Sequence, residues 1–263
     1  MNTLDWNPKA YATNSSAQET WGSALHGKLA LQDGETVVDL GCGDGRLTAR
    51  LAARNPHGHT IGLDASPAMV EHARTAHAGI PGLEFHQADA RSFQIKSPAD
   101  ALVSSATLHW VAELDQAFQA SWRALRPGGR LLFQMGGTGN IAQLEEAARE
   151  VIAQPEWNGF FTGFQTPWHL HSCEEAQQAI ASAGLAAVRV ELLERDMVHE
   201  DPEAFLGWMR ATWFSFTAQV PEDRREALLA AIRSRYLMLY PSDTEGRTHV
   251  RMVRLEVEAT KLT

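Results

Sequence analysis

"VVDLGCGDGRL", residues Val37–Leu47, decides the fold. An apolar, β-branched run leads straight into three glycines within five residues, Gly41, Gly43 and Gly45, so a strand ends in a sharp bend around a ligand. The dinucleotide fingerprint G-x-G-x-x-G fits at Gly41 and Gly43, but its third position falls on Arg46 and the next glycine comes one residue early. A Walker loop ends in G-K-[ST], and "GDGRLT" has no lysine. Asp39 and Asp44 flank the glycines, and a carboxylate facing a pyrophosphate is repulsive at low effective dielectric. A ligand with an ammonium group and no phosphate suits this loop better.

Outward from the loop, residues 36 to about 135 alternate short β-rich runs (TVVDL, HTIGLD, LEFHQA, DALVSS, RLLFQM) with helix-period segments. Strands separated by helices are parallel βαβ units, hence an α/β fold. Ser66-Pro67 reads as an N-cap with proline at the first helical position, and "RPGGR" at 126–130 as a turn feeding the fifth strand. A lead helix is predicted from about Ser15 to Leu31. Beyond 135 the pattern predicts helices over Ile141–Ala153, Glu174–Ala183, Pro202–Thr217 and Pro221–Leu239, and strands at "AAVRVELLE" and "HVRMVRLEVEA". These give an expected division into an N-terminal lid and lead helix (1–35), a ligand-binding α/β core (36–200) with an aromatic insert around 155–170, a helical cap (201–245) and a final core strand (246–263).

Composition narrows the partners. The 263 residues carry 32 acidic and 23 basic side chains, a net charge of −9, and no basic cluster that would hold a polyanion. Nucleic acid is therefore not expected as a partner. Cys42 and Cys173 are far apart and read as free thiols of a reducing cytosol. The N-terminus shows no signal-peptide pattern, and no apolar run reaches membrane-spanning length, so a cytoplasmic protein without membrane attachment is expected, as a monomer or homodimer.

S-adenosylmethionine, with an amino-acid head, a sulfonium, a ribose and an adenine, would leave marks at the carboxyl ends of successive strands. Three are present: Asp39 ends strand one within reach of the ammonium, Asp64 ends "IGLD" and is placed for the ribose hydroxyls, and Asp89 in "HQADA" is placed for the adenine amino group. An acid about 20 residues beyond a glycine loop also serves NAD, so Asp64 alone leaves an oxidoreductase open; the trio favours the methyl donor.

"VVDLGCGDGRLTARLA", "IGLDASPAMVEHAR", "FHQADARSF" and "LRPGGRLLFQM" resemble the successive motifs of class I S-adenosylmethionine-dependent methyltransferases. The resemblance implies a Rossmann-like, seven-stranded, mostly parallel sheet with helices on both faces and a helical cap. It carries cofactor contacts to Gly41, Cys42, Gly43, Ala65, Ala90 and Ser104. "WNPKAY", the Tyr11 to Gln18 spacing, "SSATLHWV" and "FQM" are similar to the trans-aconitate methyltransferase group, and juvenile hormone acid and malonyl-carrier-protein methyltransferases share parts of the pattern. All three methylate a carboxylate, which implies an O-methyl ester of a small organic acid. Where that group is expected to carry glutamine before the tryptophan, this chain has His109.

His109 follows strand four, where the methyl group should point, and is the candidate base if the acceptor is a hydroxyl or carbon of an apolar natural product or lipid-like molecule; a carboxylate needs none. A residue that only packs beside the cofactor is the other reading of His109. Trp110 is a candidate cavity wall. Tyr11 and Gln18, seven apart on a helix, share a face that would close over the cofactor. Trp157, Phe160, Phe161, Phe164 and Trp168, then Trp208, Trp213, Phe214 and Phe216, read either as a pocket lid or as packing between cap helices. Within them, Trp168, Trp213 and Arg210 are candidate substrate contacts, Arg210 by bidentate pairing with a carboxylate. No metal site is expected.

Overall fold

The computed structural model describes residues 16–263, with side chains from residue 19 onward. Tyr11 and the Gln18 side chain lie outside the described residues. The lead helix is α1 (Ser16–Lys28), and the alternation read from the sequence follows it: β1 (Thr36–Leu40), α2 (Arg46–Ala53), β2 (His59–Asp64), α3 (Pro67–Ala76), β3 (Leu83–Gln87), β4 (Ala99–Ser105), α4 (Leu114–Ala124) and β5 (Leu125–Gly136). Then come α5 (Ala142–Ile152), α6 (Cys173–Ser182), β6 (Leu185–His199), α7 (Pro202–Thr212), the single turn α8 (Phe214–Thr217), α9 (Arg225–Leu239) and β7 (Thr248–Lys261).

Local chemistry sets these boundaries. Ser66 accepts from Met69 N–H with Pro67 at the first helical position of α3, and Ser172 and Glu175 form a reciprocal capping box on α6. Asp201 accepts from the N–H groups of Glu203 and Ala204, and Pro202 opens α7. The segment expected as one helix over 202–217 breaks at Trp213, which turns inward to lie 4.6 Å from Phe216 and 5.8 Å from Trp168, so aromatic burial overrides helical continuity. "RPGGR" is part of β5: Ala99 pairs with Leu125 and Ala101 with Arg130, and residues 126–129 bulge out between those pairs.

Among the described residues the strands form one seven-stranded sheet, ordered β3-β2-β1-β4-β5-β7-β6. The first five are mutually parallel, and β7 lies antiparallel between β5 and β6. The chain winds from β1 outward to β3 and then crosses back to β4, so the order reverses between β1 and β4. A crevice opens at the carboxyl ends of those two strands, the usual ligand site of a doubly wound sheet. One face buries Val38, Leu40, Leu102, Phe133 and Leu255 against α4 and α6; the other buries Val37, Ala101, Val103 and Leu132 against α1 and α2.

A second apolar core forms the cap. Helices α5, α7 and α9 bring Leu144, Phe205, Met209, Leu228 and Tyr236 together with Trp157, Trp168 and Trp213. The far ends of β6 and β7 belong to this core through Met197, Val250 and Met252, because both strands continue well past the rest of the sheet. The aromatic insert is thus packing for the cap and wall for a cavity at once.

His199, the last residue of β6, sits 5.3 Å from the Phe205 ring and 5.7 Å from that of Trp208, and burial pushes its pKa down to about 4. The unfolded chain takes up this proton below about pH 6.5 and the folded chain does so only near 4, so stability falls with acidification across that window. His199→Phe is expected to remove that loss: the stability difference between variant and parent in urea unfolding should move in the variant's favour by about 2 kcal/mol between pH 6.5 and 4. A pH-independent difference would show that His199 protonates equally in both states.

Candidate active site

The glycine loop bends as its sequence requires. Gly41 (φ +81°) and Gly45 (φ +81°) are left-handed, and a Cβ at Gly41 would lie 2.1 Å from Thr107 Oγ1, so only glycine lets the loop lie against the segment after β4. Gly41 and Cys42 both donate to the Leu63 carbonyl, and Gly43 donates to Asp64 Oδ2 at 2.9 Å, which ties the loop to the end of β2. The cleft this leaves is lined by Asp39, Gly41, Cys42 and Gly43, together with Glu19 of α1, Asp44, Arg46, Ser105 and Ala106.

Asp39 is buried and accepts from the Thr48 hydroxyl at 2.6 Å. Burial raises its pKa, against the opposing pull of His26 and that hydrogen bond, so a cationic group brought to it would be strongly favoured. Asp64 takes one N–H from Gly43 and one from Ser66 (2.8 Å to Oδ1), and burial raises its pKa too. Each oxygen keeps acceptor capacity, which suits a pair of hydroxyls. Asp89 lies just past β3, held by Arg91 through Nη2 at 2.7 Å, and that hydrogen bond lowers its pKa. Beside it Ala90 is buried, and Ala65 follows Asp64 directly. The three acids thus stand at the ends of the adjacent strands β1, β2 and β3, about 5 Å apart per strand, and describe a track long enough for an amino acid, a ribose and a base.

Two sequence readings of this cleft change. Asp44 is not a free flanking anion, because Arg46 Nε donates to it at 2.8 Å while Arg46 Nη1 reaches Glu19 at 2.9 Å. Even so, three carboxylates and one guanidinium line the cleft, a balance that suits a cation and opposes a pyrophosphate. Ser104 is fully buried with its hydroxyl donating to the Leu40 carbonyl at 2.7 Å; it fastens β4 to β1, and its neighbours Ser105 and Ala106 face the cleft instead. Residues fit for S-adenosylmethionine are therefore present.

Ala106 lines this cleft and also a second cavity, of about 90 Å³, beneath the cap. Ala106 (φ +55°) and Ile141 (φ +51°), both in its wall, hold left-handed backbone that side chains disfavour, the kind of strain that clusters at functional sites. His109, Trp110, Trp168 and Trp213 meet here as expected, joined by Trp21 of α1 and Trp208 of α7. Trp110 stacks on Phe214 (6.1 Å) and meets Trp168 edge-on (6.1 Å), and Trp168 Nε1 donates to Glu145 at 2.6 Å.

His109 has one ring nitrogen already engaged. Gly136 N–H approaches its Nδ1 at 3.4 Å, which places the proton on Nε2. Burial, then Arg254, then His171 push its pKa down to about 3, so the ring is neutral and serves as a donor.

Arg210 lies elsewhere. It is 45 % exposed on the outer side of α7 and paired with Glu226, Nη2 to Oε1 at 2.6 Å. The cation in the cavity is Arg254 of β7, which the sequence reading missed: it is 4 % exposed, and its guanidinium lies 5.6 Å from the Trp21 ring. A signal existed. Arg254 and Glu256 stand at i, i+2 in the most apolar stretch of β7, so they share one face of a strand that lies between β5 and β6. Glu256 is matched by Lys28 (2.6 Å), Arg189 (2.6 Å) and Gln134 (2.8 Å), and Arg254 lines the cavity.

Comparison with known proteins agrees with this geometry. A family profile described as a methyltransferase domain matches residues 37–129. A trans-aconitate 2-methyltransferase of Methylobacterium radiotolerans is 30% identical over 98% of this chain and 98% of its own length, and one of Azoarcus sp. is 28% identical over 97% and 99%. Among solved structures, a Haemonchus contortus phosphoethanolamine N-methyltransferase bound to S-adenosylhomocysteine superposes with a TM-score of 0.62 at 16% identity, covering 97% of this chain and 57% of that one. A mycolic acid cyclopropane synthase, also bound to S-adenosylhomocysteine, gives 0.61 at 17%, covering 94% and 85%. The two structures share the fold; the full-length relatives share the family, and this chain is an S-adenosylmethionine-dependent methyltransferase belonging to the family of the trans-aconitate 2-methyltransferases.

Proposed function

We propose that the chain methylates a carboxylate of a small organic acid, forming an O-methyl ester in the cytoplasm. The observation that carries this reading is the likeness to trans-aconitate 2-methyltransferases along nearly the whole chain, and Arg254, a buried guanidinium, lies in the wall of the aromatic cavity. A guanidinium at that place has the fork of donors that matches the two oxygens of a carboxylate. When bound, S-adenosylmethionine supplies an electrophilic methyl group on a sulfonium. Asp39, Asp64 and Asp89, with the backbone of Gly41 to Gly43, are proposed to hold that cofactor, and Trp110, Trp168 and Trp213 to wall the acid. The residues do no covalent chemistry; Arg254 and the tryptophans fix direction and exclude water, which is the main requirement of an in-line displacement. The lead through residue 35 is proposed as a lid, since α1 places Glu19 at the cofactor cleft and Trp21 at the cavity.

An acceptor hydroxyl or carbon acid would need a base, and His109 is held neutral with a pKa of about 3 and its Nδ1 occupied. The test is transfer of labelled methyl to trans-aconitate and to a panel of mono-, di- and tricarboxylic acids, followed by mild alkali, which releases an ester methyl as volatile methanol. Base-labile product is expected. His109→Gln should keep the rate within about tenfold, with a flat profile from pH 6 to 9, whereas loss of a true base costs about 10²–10⁴-fold. Alkali-stable product, with activity falling below pH 6.5 and an inactive glutamine variant, would overturn the carboxylate assignment.

A further inference from the structure

Asn140 closes the gap where β5 ends. Gly137 N–H donates to the Val253 carbonyl at 3.0 Å, and beyond it the Asn140 side chain takes the place of the missing strand: its Oδ1 accepts from Val253 N–H at 3.0 Å. A backbone N–H only donates, so this bond fixes the carboxamide with its oxygen on β7 and its Nδ2 turned the other way. The residue is 5 % exposed and lines the cavity beneath the cap, yet Nδ2 donates to no acceptor among the described residues. It is not one of the unpaired polar atoms sealed in the interior either, so it keeps surface of its own. Gly136 shows which way that surface faces. A Cβ there would stand 3.0 Å from Asn140 Nδ2 and 3.1 Å from Leu170 Cδ2, and cross-strand pairing of Gly136 with Arg254 puts that Cβ on the side of the sheet where Arg254 and Leu170 line the cavity. With glycine at 136, no side chain of β5 stands between the amide and the cavity. Ile141 follows with left-handed backbone (φ +51°) and no side-chain cap on α5, so the positive end of that helix dipole lies beside the amide.

We infer that Asn140 is a specificity residue of the acceptor site, its Nδ2 donating to a carboxylate oxygen of the bound acid. The inference rests on the organic-acid reading above and adds to it a side chain that touches the acceptor. The bond from Oδ1 to β7 removes the amide's freedom to turn, so the donor is held in place before the acid arrives. A site that hydrogen-bonds a substrate group discriminates strongly once that bond is lost, because a buried partner is then stranded.

Asn140→Asp has the same shape and keeps an oxygen for Val253 N–H, but it replaces the donor by an anion. With trans-aconitate as acceptor the variant should raise KM about tenfold or more and leave S-adenosylhomocysteine affinity within about twofold. In the nitrogen–proton spectrum of the parent protein, the Asn140 carboxamide pair, assigned through its own side-chain carbons, should move downfield when trans-aconitate is added to protein saturated with S-adenosylhomocysteine. That measurement needs no variant and decides the matter if Asn140→Asp does not fold. An unchanged KM in a folded variant would overturn the inference, as would a carboxamide pair that stays put at saturating trans-aconitate; a raised KM beside an unmoved pair would mean that the new charge merely repels the acid. Equal losses of acceptor and S-adenosylhomocysteine affinity would make Asn140 a structural residue and overturn it too. If the parent enzyme neither binds nor methylates any acid of the panel, the organic-acid reading fails and this assignment falls with it; the parent's own activity tells the two failures apart.

Discussion

Arg254→Met should abolish most methyl transfer to an anionic acceptor, lowering kcat/KM by about 10²–10³-fold while leaving the protein folded and able to bind S-adenosylhomocysteine. The magnitude is that of removing one member of a desolvated charge pair. Folding survives because methionine fills similar apolar volume, and exchanging a buried charge for a well-packed apolar group is often neutral. The Trp21 ring, now beside the Arg254 guanidinium, would meet a thioether that packs well on aromatics. The variant also lifts one of the influences holding the His109 pKa down. The His109 ring resonances should accordingly titrate at a higher pH than in the parent, although burial, the larger cause, still holds them below the ordinary value. Full activity in a folded Arg254→Met enzyme would leave the cavity without its anion anchor.

Gly41→Ala should damage fold and cofactor site together. The new Cβ would fall 2.1 Å from Thr107 Oγ1 and 2.2 Å from its Cγ2, at a residue with φ +81°. Thr107 cannot swing clear cheaply, since its hydroxyl donates to the carbonyls of Gly41 (3.2 Å) and Ser105 (3.1 Å). Overpacking and left-handed strain sum to about 2–5 kcal/mol, or a fall in Tm of about 5–15 °C for a domain of this size. Cofactor affinity should drop with it, because the displaced peptide is part of the cleft. Gly34→Ala is the control: φ is +91° there but nothing lies within 4 Å of the added carbon, so it isolates strain from collision. Scanning calorimetry that shows the two variants equally destabilised would deny the Thr107 contact any role.

The core was legible because its signals are local. Alternating runs located β1 to β5, the Ser66-Pro67 pair located a helix start, and the glycines located the bend, each within a window of a few residues. What escaped depends on partners distant in sequence. Asp44 looked like a free carboxylate until Arg46 was seen folded back on it, and Arg210 looked like an anion hook until Glu226 came alongside from α9. Arg254 was passed over as one charge in a strand; only the neighbours of β7 on both sides show that this charge is buried. The helix expected across Trp213 failed for a related reason, as the periodicity of α7 and α8 continues through a residue whose ring is claimed by Trp168 and Phe216. His109 was placed correctly beside the cavity, but its basicity is set by burial and by Arg254, neither of which sequence spacing expresses.

The β6–β7 ladder has a mechanical consequence. From Arg189 paired with Glu258 to His199 paired with Thr248 the two strands run antiparallel without a register break, beginning in the central sheet and ending among the cap helices. A hydrogen-bonded ribbon of that length ties the floor of the cap covalently and by backbone hydrogen bonds to the central sheet. Swapping the cap for another would accordingly mean splicing two strands mid-ladder, whereas lengthening or replacing α1, which is attached to the core through side chains such as Lys28 and Glu19, leaves the ribbon whole.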